Sequence, residues 1–327
     1  MHIPDNYLSP STCAVMGAVM VPIWRRAAIK VKEELSRKKI PLLGICAAFS
    51  FLIMMFNVPL PGGTTGHAVG AVLAAILLGP YAAAISVTIA LVIQALFFGD
   101  GGILAIGANC FNMAVIMPFT GYYIYRFISR VIKGEKGEYI AAFVAGYISL
   151  NIAALFTAIE FGIQPVLFKD ATGLPLYCPY GFEASIPAML IPHLLVAGII
   201  EGMVTAAVYA YVKKTAPSEI YEYTASKVKF IYGLIGAMIL LVPIGLLAAG
   251  TAWGEWGADE MKYMIGFIPK GMEKGFSFEA PIPDYAVSGL PEVLGYILSA
   301  TAGVIIITVI IKFVVRKKQN NHITYSK

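Results

Sequence analysis

Long apolar segments are the feature that most limits what this chain can fold into, because a helix of about 20 apolar residues crosses a bilayer. Windows of this kind, with few charges, lie near residues 10–25, 41–58, 103–125, 139–162, 186–212, 228–250 and 290–312. The run from 67 to 98 is too long for one span and is interrupted at Gly79-Pro80, so we divide it into a short and a full segment. The sequence therefore predicts an all-α, polytopic transmembrane helical bundle of nine segments.

The composition agrees with a membrane protein. Apolar residues make up 58% of the chain and charged residues 13%, whereas a soluble domain carries about 25% charged residues. The stretch MHIPDNYLSP lacks the basic run and apolar core of a secretory signal, so we expect Met1 to be the mature amino terminus. The net charge of +5 is expected to reflect loops that face anionic lipid, and no nucleic-acid partner is predicted.

Basic residues predict the orientation, because positively charged loops resist translocation. They cluster after four of the predicted segments, at Arg25, Arg26, Lys30, Lys32, Arg37, Lys38, Lys39, Arg126, Arg130, Lys133, Lys136, Lys213, Lys214, Lys227, Lys229, Lys312, Arg316, Lys317 and Lys318. With these loops inside, the amino terminus lies outside and the carboxyl terminus is cytoplasmic. We expect a multi-pass protein of a prokaryotic cell membrane.

The chain is predicted to contain two membrane parts. Residues 1–212 form a core of about seven segments, residues 213–227 form a basic linker, and residues 228–327 form a two-helix hairpin with a cytoplasmic tail. The sequence has no G-x-x-x-x-G-K-[ST], H-E-x-x-H or G-x-S-x-G motif. We therefore predict that the chain is not an enzyme and does not hydrolyse ATP through a Walker-type site.

Two of the four histidines are candidate metal ligands. The Met1 amine, the His2 amide and the His2 Nδ1 atom can close a five-membered and a six-membered chelate ring around one ion. His67, on the same predicted side of the membrane, can supply a fourth nitrogen, and four nitrogens in a square are typical of Ni(II) or Cu(II). The alternative is that His2 is a solvated terminal residue and His67 bonds a backbone carbonyl. The 65-residue spacing leaves both interpretations open.

Several motifs resemble one transporter family. They are MHIPD at 1–5, NVPLPGGTTGH at 57–67, FGDGG at 98–102 and GANCFNMA at 107–114. The stretch 1–212 resembles CbiM and NikM, the substrate-specific subunits of energy-coupling factor transporters for cobalt and nickel. The resemblance implies that Met1, His2 and His67 hold the transported metal and that no permanent cofactor is needed. It also implies two cytoplasmic ATPase subunits and a transmembrane coupling subunit as partners.

The resemblance extends to two further features. Ala14 and Ala18 have the small-x-x-x-small spacing that lets helices approach closely, which matches the surface that the family offers to its coupling subunit. The tail 228–318 resembles the two-span companion CbiN or NikN, here fused. Its PIPDY at 281–285 has Tyr285 where related segments carry the Gly of a Pro-Asp-Gly motif. Acidic residues of the outer loop, including Glu255, could attract cations toward the site. The alternative is a solvated hydrophilic loop without this role.

Asn109 and Asn112 lie one helical turn apart beside the Gly-rich loop at Asp100. Buried polar side chains in a membrane need partners, so we expect these two to bond the His67 loop or orient its ring. Helix-to-helix bonding without a role at the metal is the alternative.

Nickel is the expected ion, because a square of nitrogens favours Ni(II) over Co(II), and cobalt for cobalamin biosynthesis is the runner-up. Since the His2 amide and imidazole must lose protons to bind, loading is expected to weaken as the pH falls through about 6.5. A secondary metal transporter is a more distant alternative. It would need ionisable residues at the membrane midplane and, commonly, two related halves with broken helices.

Overall fold

The computed structural model describes residues 1–36, 39–216, 228–248 and 250–324. The chain is built from helices, as the apolar pattern predicts. The α-helices are α1 (Pro10–Glu34), α2 (Ile40–Met54), α3 (Ala71–Leu78), α4 (Pro80–Ile93), α5 (Ile106–Asn109), α6 (Met117–Val131), α7 (Glu135–Gly162), α8 (Gln164–Leu167), α9 (Phe182–Pro192), α10 (Gly198–Thr215), α11 (Val228–Leu241), α12 (Ala258–Ile265), α13 (Lys270–Glu273) and α14 (Glu292–Thr324).

Several helices are continued or joined by other helical turns. Wider π-helical turns extend α4 (Gln94–Phe98), join α5 to α6 (Cys110–Ile116) and join α9 to α10 (His193–Ala197), and tighter 3₁₀ turns occupy Val242–Leu247 and Pro283–Tyr285. Two short strands, β1 (Val58–Leu60) and β2 (Thr64–Gly66), form an antiparallel hairpin.

Six helical stretches among the described residues are long and apolar enough to cross a membrane. They are Pro10–Glu34, Pro80–Phe98, Glu135–Leu167, Phe182–Thr215, Phe230–Leu247 and Glu292–Phe313. The nine predicted segments each coincide with a helix or with contiguous helical pieces, but three of them are not in this set: α2, α3 and the interrupted stretch from α5 to α6. The orientation in the membrane stays a prediction.

Local sequence explains where these helices begin and break. Ser9 caps α1, because its hydroxyl accepts a hydrogen bond from the Thr12 amide at 3.1 Å, and Pro10 occupies the first helical position, where its missing N–H costs nothing. Gly79, at a φ of 84°, separates α3 from α4, and Pro80 starts α4. The predicted division of the 67–98 run at this dipeptide is therefore confirmed.

Small residues allow the central helices to pack closely. α7 contacts α6, α9 and α10 along its length. At the crossing of α7 and α10, a methyl group on Gly146 would lie 3.1 Å from the Cα atom of Gly202, and one on Gly202 would lie 2.8 Å from the Phe143 carbonyl. Contacts between small residues are the usual way that helices associate in lipid.

The carboxyl-terminal helices α11 and α14 pack on α2, and the segment between them covers the amino terminus. The Tyr7 hydroxyl, for example, donates a hydrogen bond at 2.8 Å to the carbonyl of Trp256. α10 reaches Thr215, and residues 217–227 of the predicted linker lie outside the described residues. The division into parts at 212 and 228 stays a prediction.

Candidate metal centre

The amino-terminal segment before α1 is buried, although it forms no helix or strand. Asn109 holds it through both polar atoms of its side chain: Oδ1 accepts from the Ile3 amide at 2.7 Å, and Nδ2 donates to the Ile3 carbonyl at 3.0 Å. The Gly102 amide donates to the same carbonyl at 2.8 Å. The backbone on the carboxyl side of His2 is therefore fixed by Gly102, in the loop before α5, and by Asn109, at the end of α5.

Asp5 attaches the same segment to the start of this loop. Its carboxylate accepts hydrogen bonds from the amides of Ile103 at 3.0 Å and Leu104 at 2.8 Å. Gly102 allows the close approach, since a methyl group there would lie 2.5 Å from the Asp5 amide nitrogen. The Gly-rich stretch FGDGG and the two residues after it therefore hold the first five residues in place.

His67 follows β2 directly. The hairpin pairs Val58 with Gly66 and turns through Gly62 and Gly63, which have the positive φ angles of 95° and 75° that glycine adopts most readily. The turn is exposed, whereas β2 and His67 are buried. Within this loop, the turn is therefore open to solvent and the arm that leads to His67 is enclosed by the protein.

The two predicted histidine ligands lie side by side. His2 Nδ1 is 3.2 Å from His67 Nε2, their ring centroids are 5.0 Å apart, and the residues are 3% and 9% exposed. The other ring nitrogen of His67, Nδ1, lies 3.1 Å from the Ala68 carbonyl. Since only a protonated Nδ1 can bond that carbonyl, we assign the lone pair of His67 to Nε2, which faces His2.

The Met1 amine is buried near a carboxylate from the carboxyl-terminal part of the chain. Its nitrogen lies 3.4 Å from Glu255 Oε1, in the segment that precedes α12. The acidic composition of the outer loop is compatible with a solvated Glu255, but in the structure this side chain is half-buried beside the amine. Desolvation raises the pKa of Glu255, and the positive charge of the amine opposes this effect.

Asp100 is the second carboxylate at this site. Its Oδ1 lies 3.2 Å from His2 Nδ1, while its Oδ2 accepts hydrogen bonds from Gln94 Nε2 at 3.1 Å and from the Tyr285 hydroxyl at 2.5 Å. Gln94 starts the π-helical turn that ends α4. Such turns occur frequently at functional sites, and here the turn brings the Gln94 amide and the Asp100 carboxylate together.

Burial keeps both imidazoles neutral. Desolvation, assisted by the charge of the terminal amine, lowers the pKa of His2 to about 3. Desolvation also lowers the pKa of His67 well below its usual range, with the neighbouring His2 adding to the shift. The neutral ring is the form that binds metal. The weakening of loading near pH 6.5, which is also linked to the His2 amide, stays a prediction.

Glu201 of α10 contacts the loop that follows His67, and the sequence alone did not identify it as a residue of this site. Its carboxylate accepts hydrogen bonds from the amides of Val69 at 2.7 Å and Gly70 at 3.1 Å, which join His67 to α3. The signal in the sequence was a single acid inside an apolar span, which needs a specific partner.

The remaining predicted site residues lie elsewhere. Asn112 donates hydrogen bonds to Thr157 Oγ1 at 3.1 Å and Glu160 Oε2 at 2.7 Å, so it joins two helices and does not bond the His67 loop. Ala14 and Ala18 lie on the exposed face of α1. Of the two asparagines, only Asn109 touches the segment that carries His2, and it too bonds that segment and not the His67 loop.

Side chains alone do not complete a metal site. Within the described ranges, no group of three or more His, Cys, Asp or Glu residues is arranged to hold an ion. A metal at His2 and His67 would therefore need the amine and amide nitrogens of Met1 and His2. Metal–nitrogen bonds of about 2.0 Å place neighbouring donors of a square about 2.8 Å apart, close to the 3.2 Å between the two imidazole nitrogens.

Comparisons with known families match almost the whole chain. Residues 2–219 match the CbiM family, described as the cobalt uptake substrate-specific transmembrane region, and residues 227–318 match the PDGLE domain.

Proteins named for nickel transport are similar over nearly their full length. The probable fused nickel transport protein LarMN of Lactiplantibacillus plantarum is 48% identical, with 95% of this chain and 97% of the relative covered. The fused nickel transport protein NikMN of Rhodobacter capsulatus is 46% identical, with coverage of 94% and 95%. A crystal structure described as a transition metal transporter is 54% identical, with a TM-score of 0.63 over 72% of this chain and 99% of that one.

Proposed function

Because the chain belongs to the CbiM family of cobalt uptake substrate-specific transmembrane proteins and carries a PDGLE domain, we propose that it is the substrate-binding subunit of an energy-coupling factor importer. It is a multi-pass membrane protein of nickel and cobalt transport in a prokaryote. In the proposed role it captures Ni²⁺ through the Met1 amine, the His2 amide and imidazole, and the His67 imidazole.

The observation that carries this proposal is the buried pair of His2 and His67. The two imidazoles, 65 residues apart in sequence, are buried with facing nitrogens 3.2 Å apart, a separation at which one ion can bind both. The Met1 amine lies in the same buried region. Two carboxylates, Asp100 and Glu255, supply the negative charge that a buried cation needs.

Nickel is proposed as the substrate for two reasons. Amine, amide and imidazole nitrogens in a plane suit the square geometry of Ni²⁺. Full-length relatives are named as nickel transport proteins. Co²⁺ is the second candidate, because the family that matches residues 2–219 is described by cobalt uptake.

The proposed partners are a transmembrane coupling subunit and two cytoplasmic ATPase subunits. The exposed face of α1, which carries Ala14 and Ala18, supports a close helix contact with the coupling subunit. Uptake of ⁶³Ni²⁺ by cells should therefore stop when ATP is depleted while the proton gradient is kept. Continued uptake by cells that express this chain without the other subunits, with ATP depleted and the proton gradient kept, would identify a secondary transporter.

Extending the amino terminus tests the metal centre. Four glycines added before Met1 convert the chelating amine into an amide and leave no histidine within chelating reach of the new amine, so Ni²⁺ binding by the purified full chain should be lost while membrane insertion persists. The matched control adds the same four glycines after Lys327, which should leave binding unchanged. Equal Ni²⁺ affinity of the two extended chains would contradict the proposal, and the same titration with Co²⁺ compares the two metals.

A further inference from the structure

Tyr285 belongs to the carboxyl-terminal part of the chain but is in contact with the candidate metal centre. Its hydroxyl donates to Asp100 Oδ2 at 2.5 Å, and Asp100 Oδ1 lies 3.2 Å from His2 Nδ1. We propose that Tyr285 is a positioning residue for metal capture, which acts through Asp100 on His2. This inference rests on the proposed function, because it assumes that His2 is a metal ligand.

The contact is buried and specific. The Tyr285 ring is 6% exposed and stacks on Phe98, with ring centroids 4.7 Å apart. Gln94 Nε2 donates both to the Tyr285 hydroxyl at 2.9 Å and to Asp100 Oδ2 at 3.1 Å. With Oδ2 held by two donors, the second oxygen of the carboxylate is directed at His2.

The backbone at Tyr285 is unusual, which argues for a role of its side chain. Asp284 and Tyr285 have φ angles of 52° and 59°, in the left-handed region that a bulky side chain seldom adopts. The Pro-Asp-Gly pattern of related segments has a glycine at this position, and glycine adopts the region without strain. Strained residues persist where the surroundings hold them, and they cluster at functional sites. In this chain Tyr285 adopts the left-handed conformation, and its hydroxyl bonds Asp100.

Charge explains what the contact contributes. Ni²⁺ bound to a deprotonated His2 amide carries a net charge of about +1 in a buried site, and an uncompensated buried charge is costly. Asp100 supplies one negative charge beside His2 Nδ1. The Tyr285 hydroxyl fixes this carboxylate before the ion arrives, so binding needs less rearrangement. Asp100 contacts the same ring nitrogen that is proposed to bind the ion, so it acts through its charge close to the ion. Groups just outside the set of metal ligands typically change the affinity 10-fold to 100-fold.

The test compares two phenol-to-phenyl changes in the full chain. Tyr285→Phe removes the hydroxyl that bonds Asp100. Tyr296→Phe is the matched control, because Tyr296 is also buried, packs on Tyr285 at 5.5 Å and donates to the Met55 carbonyl at 2.9 Å, away from Asp100. The measurements are the Kd for Ni²⁺ by competition with a chromophoric chelator, the d–d absorption band of the bound ion, and the unfolding midpoint without metal.

We expect Tyr285→Phe to weaken Ni²⁺ binding by about tenfold or more and to shift the d–d band, and Tyr296→Phe to change neither. Unchanged binding in Tyr285→Phe, or equal losses in both variants, would overturn the inference and assign Tyr285 a packing role. His67→Ala separates this result from a failure of the proposed function. If His67→Ala binds Ni²⁺ as the unaltered chain does, the metal centre itself is misassigned; if it abolishes binding while Tyr285→Phe does not, only the role of Tyr285 fails.

Discussion

The carboxylate of Glu201 accepts a hydrogen bond from the Val69 amide at 2.7 Å, across 132 positions of sequence. Val69 is two residues beyond His67, and the same carboxylate bonds Gly70, the cap of α3. Glu201 is fully buried on α10. A residue in the last long helix of the core therefore fixes the loop that presents His67 to His2.

Removal of this carboxylate should harm both stability and metal binding. Glu201→Ala leaves the amides of Val69 and Gly70 without an acceptor in a buried site. Each unsatisfied group costs about 1–3 kcal/mol, so we expect the free energy of unfolding to fall by about 2 kcal/mol or more and the Ni²⁺ affinity to fall with it. Thermal unfolding followed by tryptophan fluorescence, with and without Ni²⁺, measures both effects.

The matched control is Glu183→Ala, which removes an exposed carboxylate from α9. It should leave the unfolding midpoint and the Kd for Ni²⁺ unchanged. A Glu201→Ala protein as stable as this control would show that water or a shifted backbone satisfies the two amides.

The two asparagines should differ in their effect on metal binding. Asn109→Ala removes both hydrogen bonds to Ile3 and frees the segment that carries His2, so the Ni²⁺ affinity should fall by about 10-fold to 100-fold, the range for residues that orient ligands. Asn112→Ala breaks only contacts with α7. It should lower the unfolding midpoint while the Kd stays close to that of the unaltered chain, and a reversed order of the two affinities would refute this assignment.

A single methyl group at Gly102 should disturb the packing of the amino-terminal segment against this loop. In Gly102→Ala the new atom would lie 2.5 Å from the amide nitrogen and a carboxylate oxygen of Asp5. Because backbone cannot move aside as a flexible side chain can, the segment must shift and the Ni²⁺ affinity should fall by at least about tenfold. Gly233→Ala in α11 is the control, since a methyl group there meets no atom within 4 Å. If calorimetry gives both variants the same Kd, the contact between Gly102 and Asp5 does not need to be this close for metal binding.

The imidazoles should contribute little to the pH dependence of Ni²⁺ binding near pH 6.5. Burial lowers the pKa of His2 to about 3 and that of His67 in the same direction. A ring with a lowered pKa is already neutral between pH 5.5 and 6.5, so it releases no proton when the metal binds. As the pH falls through 6.5, we therefore expect the number of protons released per ion not to rise by the two that free imidazoles would add.

Calorimetry in buffers of different ionisation enthalpy counts these protons. A release that rises by two protons as the pH falls through 6.5 would mean that the imidazoles titrate as free histidines. A smaller rise would place the acid limit of imidazole loading well below pH 6.5.

The sequence determined the helical membrane architecture, because apolar segments of spanning length must satisfy their backbone hydrogen bonds within themselves. It also determined the break at Gly79-Pro80. The sequence also indicated candidate metal ligands at the amino terminus, because a terminal amine followed by histidine is a local chelate. It indicated His67 as a candidate for a fourth nitrogen.

Only the tertiary structure decided which distant groups meet. It brought His2 against His67, Glu255 against the Met1 amine and Tyr285 against Asp100, three pairs of long sequence separation. Periodicity and composition describe each helix by itself, whereas these contacts depend on how the helices pack and on loops held by single hydrogen bonds. The residue type of a carboxylate does not indicate whether it is buried or solvated, because that depends on how the helices and loops pack.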